Sequence, residues 1–492
     1  MPAVLIALLA LPLAAAVAGY VVPAPVARLV TVAAGTVSFA LALVLVPAVV
    51  DHGRVAAGSL LRVDALSAVF VLATTFLYGA TAVFAAGYLQ LGPGPEGRRY
   101  GRRFSAGLNL FCWALIAAPL VNGLALLWVA VEVTTVVSVL LVAIDGTDGA
   151  AEASWKYLLV ASLGLGIALL ATIFVYYAGS TVFGSGYQPS FARLLAGAHR
   201  FPPEVMRLAF VLSVLGFGTK MGLFPVHTWL PDAHSEAPTP VSALLSGSLL
   251  AVSFYAILRY YQITARALGS TFPRNVLLVF GVATLLLAAL VLLRQRDLKR
   301  LLAYSSVEHM GILAIGMSFG APLAVVGVLL HVLAHAAAKG TAFFGAGSVL
   351  RKFGTKDMAR IRGGIGALPW SGSMLVAAVL ALSAAPPFGI FRSEFLIVDG
   401  GLSDPRHAVA AVLVVLVTVA FLGLSWSTTR TMLTPGPADG PGAAALAKGE
   451  VSPWIVAAMV AGLAALVLLG VHLPAPLSRL LDHAAAELGS LR

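Results

Sequence analysis

The chain has 492 residues, 60% hydrophobic and only 10% charged, whereas a soluble globular domain is roughly 25% charged. That composition excludes a soluble enzyme and defines an all-α polytopic membrane protein. The formal net charge of +11 raises the question of nucleic acid, but no segment is long enough for a soluble domain and the cations cluster between apolar runs, so the lipid bilayer is the expected surroundings and no nucleic acid is expected.

Apolar runs of about 20 residues, enough to cross a hydrocarbon layer of about 30 Å, recur along the whole sequence. About 14 spans are predicted, at about 2–22, 26–50, 65–88, 104–122, 124–143, 157–178, 204–226, 239–262, 273–293, 298–319, 321–349, 367–399, 406–433 and 452–473. The first, "PAVLIALLALPLAAAVAGYVV", contains an "AVA" that resembles a signal cleavage site but lacks a positively charged leader, and is read as a retained span. Two longer polar connections, about 179–203 and 434–451, have the Gly, Ser and Pro content of loops, and the second, "TPGPADGPGAAALAKGE", reads as flexible. More than half of the 31 Lys and Arg fall in connections that follow odd-numbered spans, notably "EGRRYGRR" (96–103), "RQRDLKR" (294–300) and "RKFGTKDMARIR" (351–362). By the positive-inside bias these connections are cytoplasmic and both termini lie on the opposite side. The basic excess is mainly topogenic. The single Cys112 leaves no iron–sulfur, zinc or disulfide framework, so any electrons in the system move in another chain.

Spans 7 and 12 are interrupted, by "GLFP" at 222–225 and by "APPFG" at 385–389. Proline removes a helix hydrogen bond and clashes with the preceding turn, so each helix kinks or unwinds there. The breaks are five spans apart, and an odd offset reverses direction across the membrane. That is the pattern of two inverted five-helix repeats, spans 4–8 and 9–13, with a transport path near the midplane. The domain division that follows is 1–103, 104–262, 263–433 and 434–492.

The ionisable residues inside spans carry the chemistry, because a charge at bilayer depth costs several kcal/mol. Glu132 lies in "LLWVAVEVTTVVSVLLVAI" and Lys220 just ahead of the first break, in "GFGTKMGLFPVHTW"; the two are predicted to pair, the carboxylate holding a proton on the lysine and its withdrawal releasing it. "HVLAHAAAKG" spaces His331, His335 and Lys339 by four, placing all three on one helical face as a proton wire. Zinc or haem ligation by these histidines would need further ligands that no second cluster in the sequence supplies, so no metal or cofactor site is expected. In "GIFRSEF", Arg392 and Glu394 point to different sides of a helix; Glu394 is the candidate terminal site and Arg392 a tuner or lipid-head anchor. Secondary candidates are His227, Asp232 and His234 (with Glu236) in "HTWLPDAHSEAPTP", a polar cap or proton entrance; Lys156 with Glu152, interfacial anchors; Glu308 and His309 in span 10; and Ser246 and Ser248 in span 8, helix contacts.

These strings together, "WVAVEVTTVVSVLLV", "EASWKYLLV", "GTKMGLFPVHTWLPDAHSEAPTPVSALLSG", "RDLKRLLAYSSVEHMGILA", "HVLAHAAAKG" and "PPFGIFRSEF", closely resemble the antiporter-like membrane subunits shared by respiratory complex I, Mrp-type cation/proton antiporters and membrane-bound group 4 hydrogenases. "AYSSVEHMG" with "PPFGIFRSEF" is most similar to the hydrogenase-4 component F branch. The resemblance implies 14 transmembrane helices and proton translocation in a complex with other membrane subunits and a peripheral redox arm in the cell inner (plasma) membrane. Iron–sulfur clusters and nickel–iron or flavin centres would belong to the partners. It matches Glu132 to the fifth-helix glutamate, Lys220 to the lysine of the broken seventh helix, His331, His335 and Lys339 to the eleventh-helix polar run, and Glu394 to the acidic twelfth-helix site. Many relatives carry a lysine or histidine in the eighth helix where "SALLSGSLLAVSFYAILRY" has serines and a distal Arg259, so water held by Ser246 or Ser248 is the expected substitute.

Overall fold

The computed structural model describes residues 1–89, 94–434 and 448–489. Helices α1 (Pro2–Val21) and α2 (Ala24–His52) lead into a hairpin, β1 (Arg54–Ala57) and β2 (Leu61–Asp64), which is antiparallel with Arg54 opposite Asp64. Then come α3 (Ala65–Tyr88), α4 (Pro95–Leu120), α5 (Leu124–Val142), α6 (Asp148–Phe183), α7 (Phe191–Gly197), α8 (Pro203–Met221) and α9 (Trp229–Glu236). Helices α10 (Thr239–Leu244) and α11 (Leu250–Leu268) are joined through a π-helical turn, Leu245–Leu249. The second half comprises α12 (Thr271–Leu292), α13 (Leu298–Phe319), α14 (Pro322–Phe353), α15 (Gly364–Ala367), α16 (Pro369–Leu382), α17 (Gly389–Leu402) and α18 (His407–Leu433), followed by α19 (Pro453–Val471) and α20 (Ala475–Gly489).

Among the described residues, eleven helical segments are long and apolar enough to cross a membrane, α10 and α11 counting as one. The other three expected spans are α8, α13 and the pair α16–α17. Each falls short for a physical reason: α8 carries Glu204, Arg207 and Lys220, α13 carries Lys299, Arg300 and Glu308, and α16–α17 are two halves of an interrupted helix. The chain is thus a multi-pass integral membrane protein.

The start and end of these helices follow from their sequence. Asp64 caps α3 by accepting from Ser67 N at 3.0 Å, and Asp297 caps α13 by accepting from Lys299 N and Arg300 N. Helix α8 ends because Gly222 adopts a left-handed conformation, φ +85°, turning the Leu223 N–H back onto the Gly218 carbonyl. In the second half α16 ends at Leu382 and α17 resumes at Gly389.

The two halves pack alike. Helix α8 crosses α6 so closely that a Cβ on Gly216 would lie 2.5 Å from the Ala168 nitrogen, and α14 crosses α17 so closely that a Cβ on Gly327 would lie 2.8 Å from the Ser393 carbonyl oxygen. Spans 6 and 7 therefore meet as spans 11 and 12 do, small residues letting backbones approach where hydrophobic attraction between helices is weak. Burial sorts the helices by role. In the most apolar 18 residues of each, all of α10–α11 and 89% of α14 are buried, against 28% of α18 and 33% of α19. The outer helices present apolar side chains to lipid, and the polar residues collect on the central ones.

Three features lie outside the sequence expectations. The gap between spans 2 and 3 forms the hairpin; the connection at about 179–203 contains the end of α6 and the short α7; and an amphipathic helix, α20, follows α19. The loop expected at about 434–451 falls mostly at 435–447, outside the described residues.

Candidate functional site

Lys220, in the last turn of α8, is completely buried. Its Nζ donates to Tyr157 OH on α6 at 2.7 Å and to Thr135 Oγ1 on α5 at 3.1 Å. Tyr157 OH in turn meets Ser138 Oγ at 2.8 Å. Because Ser138 donates to the Thr134 carbonyl and the lysine donates to the phenol, the phenol proton points to Ser138. The break supplies the remaining support: Trp229 stacks on Tyr157 with ring centroids 4.2 Å apart and donates from Nε1 to the Thr219 carbonyl at 2.7 Å, satisfying a backbone oxygen near the end of α8.

Glu132 sits one turn before Thr135 on α5, half-buried, with Oε2 unpartnered. Among the described residues it forms no ion pair within 4.0 Å, so the expected direct contact with Lys220 is not made. Two hydroxyls hold the ammonium instead, which meets the need of a buried cation for hydrogen bonds without committing it to a carboxylate.

From Trp229 the line continues to His234 on α9, fully buried, whose Nδ1 donates to the Leu230 carbonyl at 2.8 Å. Its ring lies 6.2 Å from Trp229 and 5.9 Å from Phe343 of α14, and its Nε2 is free. His234 therefore stands between the two halves, the place where sequence reasoning looked for a span-8 cation or water on Ser246 or Ser248. Ser246 instead bonds Ser306 of α13 at 2.7 Å, while Ser248 Oγ is buried without a partner. Both lie on the π-helical turn, a local distortion frequent at functional sites.

One turn before Phe343, Lys339 donates to the Leu302 carbonyl at 3.0 Å and to Ser305 Oγ at 2.8 Å on α13. His335 and His331 precede it on the same face of α14, their rings 6.3 Å apart and near-parallel. His309 of α13 inserts against both, each centroid separation being 5.1 Å, and its Nδ1 lies 3.0 Å from His331 Nε2. His331 Nδ1 reaches Ser393 Oγ on α17 at 2.9 Å. Glu394 follows, with Oε1 4.0 Å from His309 Nδ1, and lines a cavity of about 420 Å³ with Ile312, Ser383, Phe395 and Phe421. Glu308 is buried beside His309 with Oε2 unpartnered. The further ligands that His331 and His335 lacked in sequence thus come from α13 and α17: His309, His331 and Glu394 each offer a donor within 4.8 Å of the others.

The remaining candidates separate from this line. Asp232 pairs with Arg300 at 2.7 Å and Lys156 at 3.7 Å, Lys156 with Glu152 at 2.5 Å, and Glu236 with Lys356 at 2.6 Å. These form an exposed or half-exposed ion network, which pulls the acids of "HTWLPDAHSEAPTP" away from the buried His234. His227 is buried, its ring 6.0 Å from that of Phe224, with Nδ1 unpartnered among the described residues. Arg392 is half-buried where its neighbour Glu394 is buried. Sequence reasoning missed Thr135, Tyr157, Trp229, Ser305 and Ser393. The available signal was the need of each buried lysine for hydroxyl or carbonyl partners, and of each imidazole for one on at least one nitrogen.

A family model described as the transmembrane region of NADH:quinone oxidoreductase and Mrp antiporter subunits matches residues 121–422. The chain is 37% identical over 372 residues to "Hydrogenase-4 component F homolog" of Methylacidiphilum infernorum, covering 73% of this chain and 76% of that one. It is 33% identical over 356 residues to "NADH-quinone oxidoreductase subunit N" of Desulforudis audaxviator, covering 72% and 69%. Its fold matches a chain of the Mrp complex from Dietzia sp. DQ12-45-1b with a TM-score of 0.85 at 22% identity, over 99% of this chain and 97% of the other. The chain belongs to the NADH:quinone oxidoreductase/Mrp antiporter membrane-subunit family.

Proposed function

We propose that this chain is the proton-translocating, antiporter-like subunit of a membrane-bound oxidoreductase complex of hydrogenase-4 type. It would sit beside other membrane subunits and below a peripheral arm that holds the redox centres. The observation that carries the reading is the buried line Lys220, Tyr157, Trp229, His234, Lys339, His335, His309, His331, Glu394. It links both helix breaks through the centre of the protein. Ionisable groups are expensive in a membrane interior and are retained there chiefly along ion and proton pathways.

In this mechanism Glu132 and Lys220 form the switching end. A charge change in a neighbouring subunit draws Glu132 towards or away from the lysine, and the lysine passes its proton along the central line, the longer steps crossing on water. Lys339 relays to the histidines and Glu394 delivers at the cavity. In this reading the protein lies in the plasma membrane with both termini on the non-cytoplasmic face, and the two repeats are 104–262 and 263–433.

The relationship to Mrp subunits supports a second reading, a subunit of a sodium/proton antiporter driven by the ion gradient alone. Proteoliposomes of the intact complex separate the two. Substrate-driven proton uptake that persists with a sodium ionophore present supports the first reading. Proton movement that requires a sodium gradient and ignores the redox substrate overturns it.

A further inference from the structure

His309, His331 and Glu394 belong to α13, α14 and α17, and one donor of each lies within 4.8 Å of the other two. Ligands of a tetrahedral zinc ion, bonded at about 2.0–2.1 Å, stand roughly 3.3 Å apart. The separations of 3.0 Å between His309 Nδ1 and His331 Nε2 and 4.0 Å between His309 Nδ1 and Glu394 Oε1 bracket that distance.

The hydrogen bonds also fix which lone pairs are available. Ser393 Oγ donates to the Ile390 carbonyl at 2.8 Å, so at His331 it accepts, and the proton of that ring sits on Nδ1. His331 Nε2 therefore carries a lone pair, and His309 Nδ1 supplies the proton between the two rings. A metal ion replaces this one proton. His331 coordinates as it stands, with the Ser393 bond orienting its ring as outer hydrogen bonds do for ligating histidines. His309 coordinates through Nδ1 when its ring proton moves to Nε2, an atom with no other partner.

A second observation is independent of this spacing. Glu394 is only 8% exposed, yet its Oε1 has no hydrogen-bond partner among the described residues, a costly arrangement for a buried carboxyl. His335, with both nitrogens unpartnered among the described residues, packs its ring 5.1 Å from His309 beside the set. Glu308, within electrostatic reach of Glu394, offsets the charge of a dication, and the cavity of about 420 Å³ leads to Glu394 from outside the helix bundle.

We propose that His309, His331 and Glu394 form a binding site for a zinc-type divalent metal ion, and that its occupation blocks proton passage by taking the lone pairs through which the two imidazoles exchange a proton. The block rests on the transport reading above; the binding does not.

The test uses the intact complex, stripped with chelator, titrated with zinc chloride and assayed for bound zinc after desalting, in parallel with substrate-driven proton uptake. The wild type is expected to hold one zinc per copy of this chain that is lost on His309→Ala and on Glu394→Gln, each weakening binding at least tenfold. Zinc should inhibit wild-type uptake over the same concentration range in which it binds. The metal-content readout serves even in variants that no longer pump, and if His309→Ala fails to assemble, Glu394→Gln carries the test. Unchanged zinc content in the assembled variants, or no bound zinc in the wild type, overturns the site. Stoichiometric zinc with full uptake overturns the block alone.

Discussion

Tyr157→Phe is the sharpest single perturbation of the switching end. It deletes the hydroxyl that accepts from Lys220 at 2.7 Å and meets Ser138 at 2.8 Å, but keeps the ring that stacks on Trp229 at 4.2 Å. A hydrogen bond to a charged group contributes about 1.5–3 kcal/mol. If every transported proton resides on Lys220 in the arrangement seen here, losing that contribution slows uptake roughly 10- to 100-fold, since each 1.36 kcal/mol is tenfold. Ser138 keeps its bond to the Thr134 carbonyl and the lysine keeps Thr135, so the complex should assemble normally. The assay is substrate-driven proton uptake by proteoliposomes read with a pH-sensitive dye, with redox turnover recorded in the same sample. Uptake within twofold of wild type in an assembled complex would refute the idea that the phenol holds the lysine in its transporting state.

Two predictions concern the start of α3, which follows the hairpin and accepts α20 against it. Arg259 is buried and bonds Asp64 at 2.5 Å, Ser67 at 2.8 Å, Tyr255 at 2.9 Å and Gln262 at 2.8 Å; Arg259→Ala leaves Asp64 without its main counter-charge and should cost about 3–5 kcal/mol, seen as a lower unfolding temperature and faster proteolysis of the hairpin, with unchanged protection contradicting the assignment. Glu487 of α20 accepts from Ala65 N and Leu66 N, and burial, joined by the Asp64 carboxylate, pushes its carboxyl up to about 7. The folded state thus favours the protonated form, so the stabilisation of α20 is complete below the ordinary carboxyl value of about 4.3 and fades as pH rises through about 7. Hydrogen exchange in 475–489, corrected for intrinsic rate, should show less protection at pH 8 than at pH 5, and Glu487→Gln should remove the difference; protection that grows with pH would contradict it.

The spans were legible because about 20 apolar residues in a row have few alternatives, and the breaks because proline cannot sustain a helix ladder. The shared face of His331, His335 and Lys339 followed from their spacing of four. What the sequence did not disclose are contacts set by how helices cross. His309 meets His331 only because α13 and α14 pack in one register, and Ser393 reaches the same ring from a helix 62 residues on. Tyr157 read as one more aromatic residue in an apolar span, and Glu132 with Lys220 read as a pair because opposite charges were the only visible complement. The hairpin escaped notice because two strands of four residues fit into a gap that hydropathy treats as a loop. Arg259 looked like a lone distal cation, since its partners Asp64 and Ser67 lie 195 and 192 residues away.

The central claim is that protons cross this chain through the buried line beginning at Lys220. Substrate-driven proton uptake by the intact complex in proteoliposomes, comparing wild type with Lys220→Ala at equal subunit content, tests it most directly. The account predicts that uptake disappears in the variant while the complex stays assembled. Undiminished uptake in Lys220→Ala would contradict it.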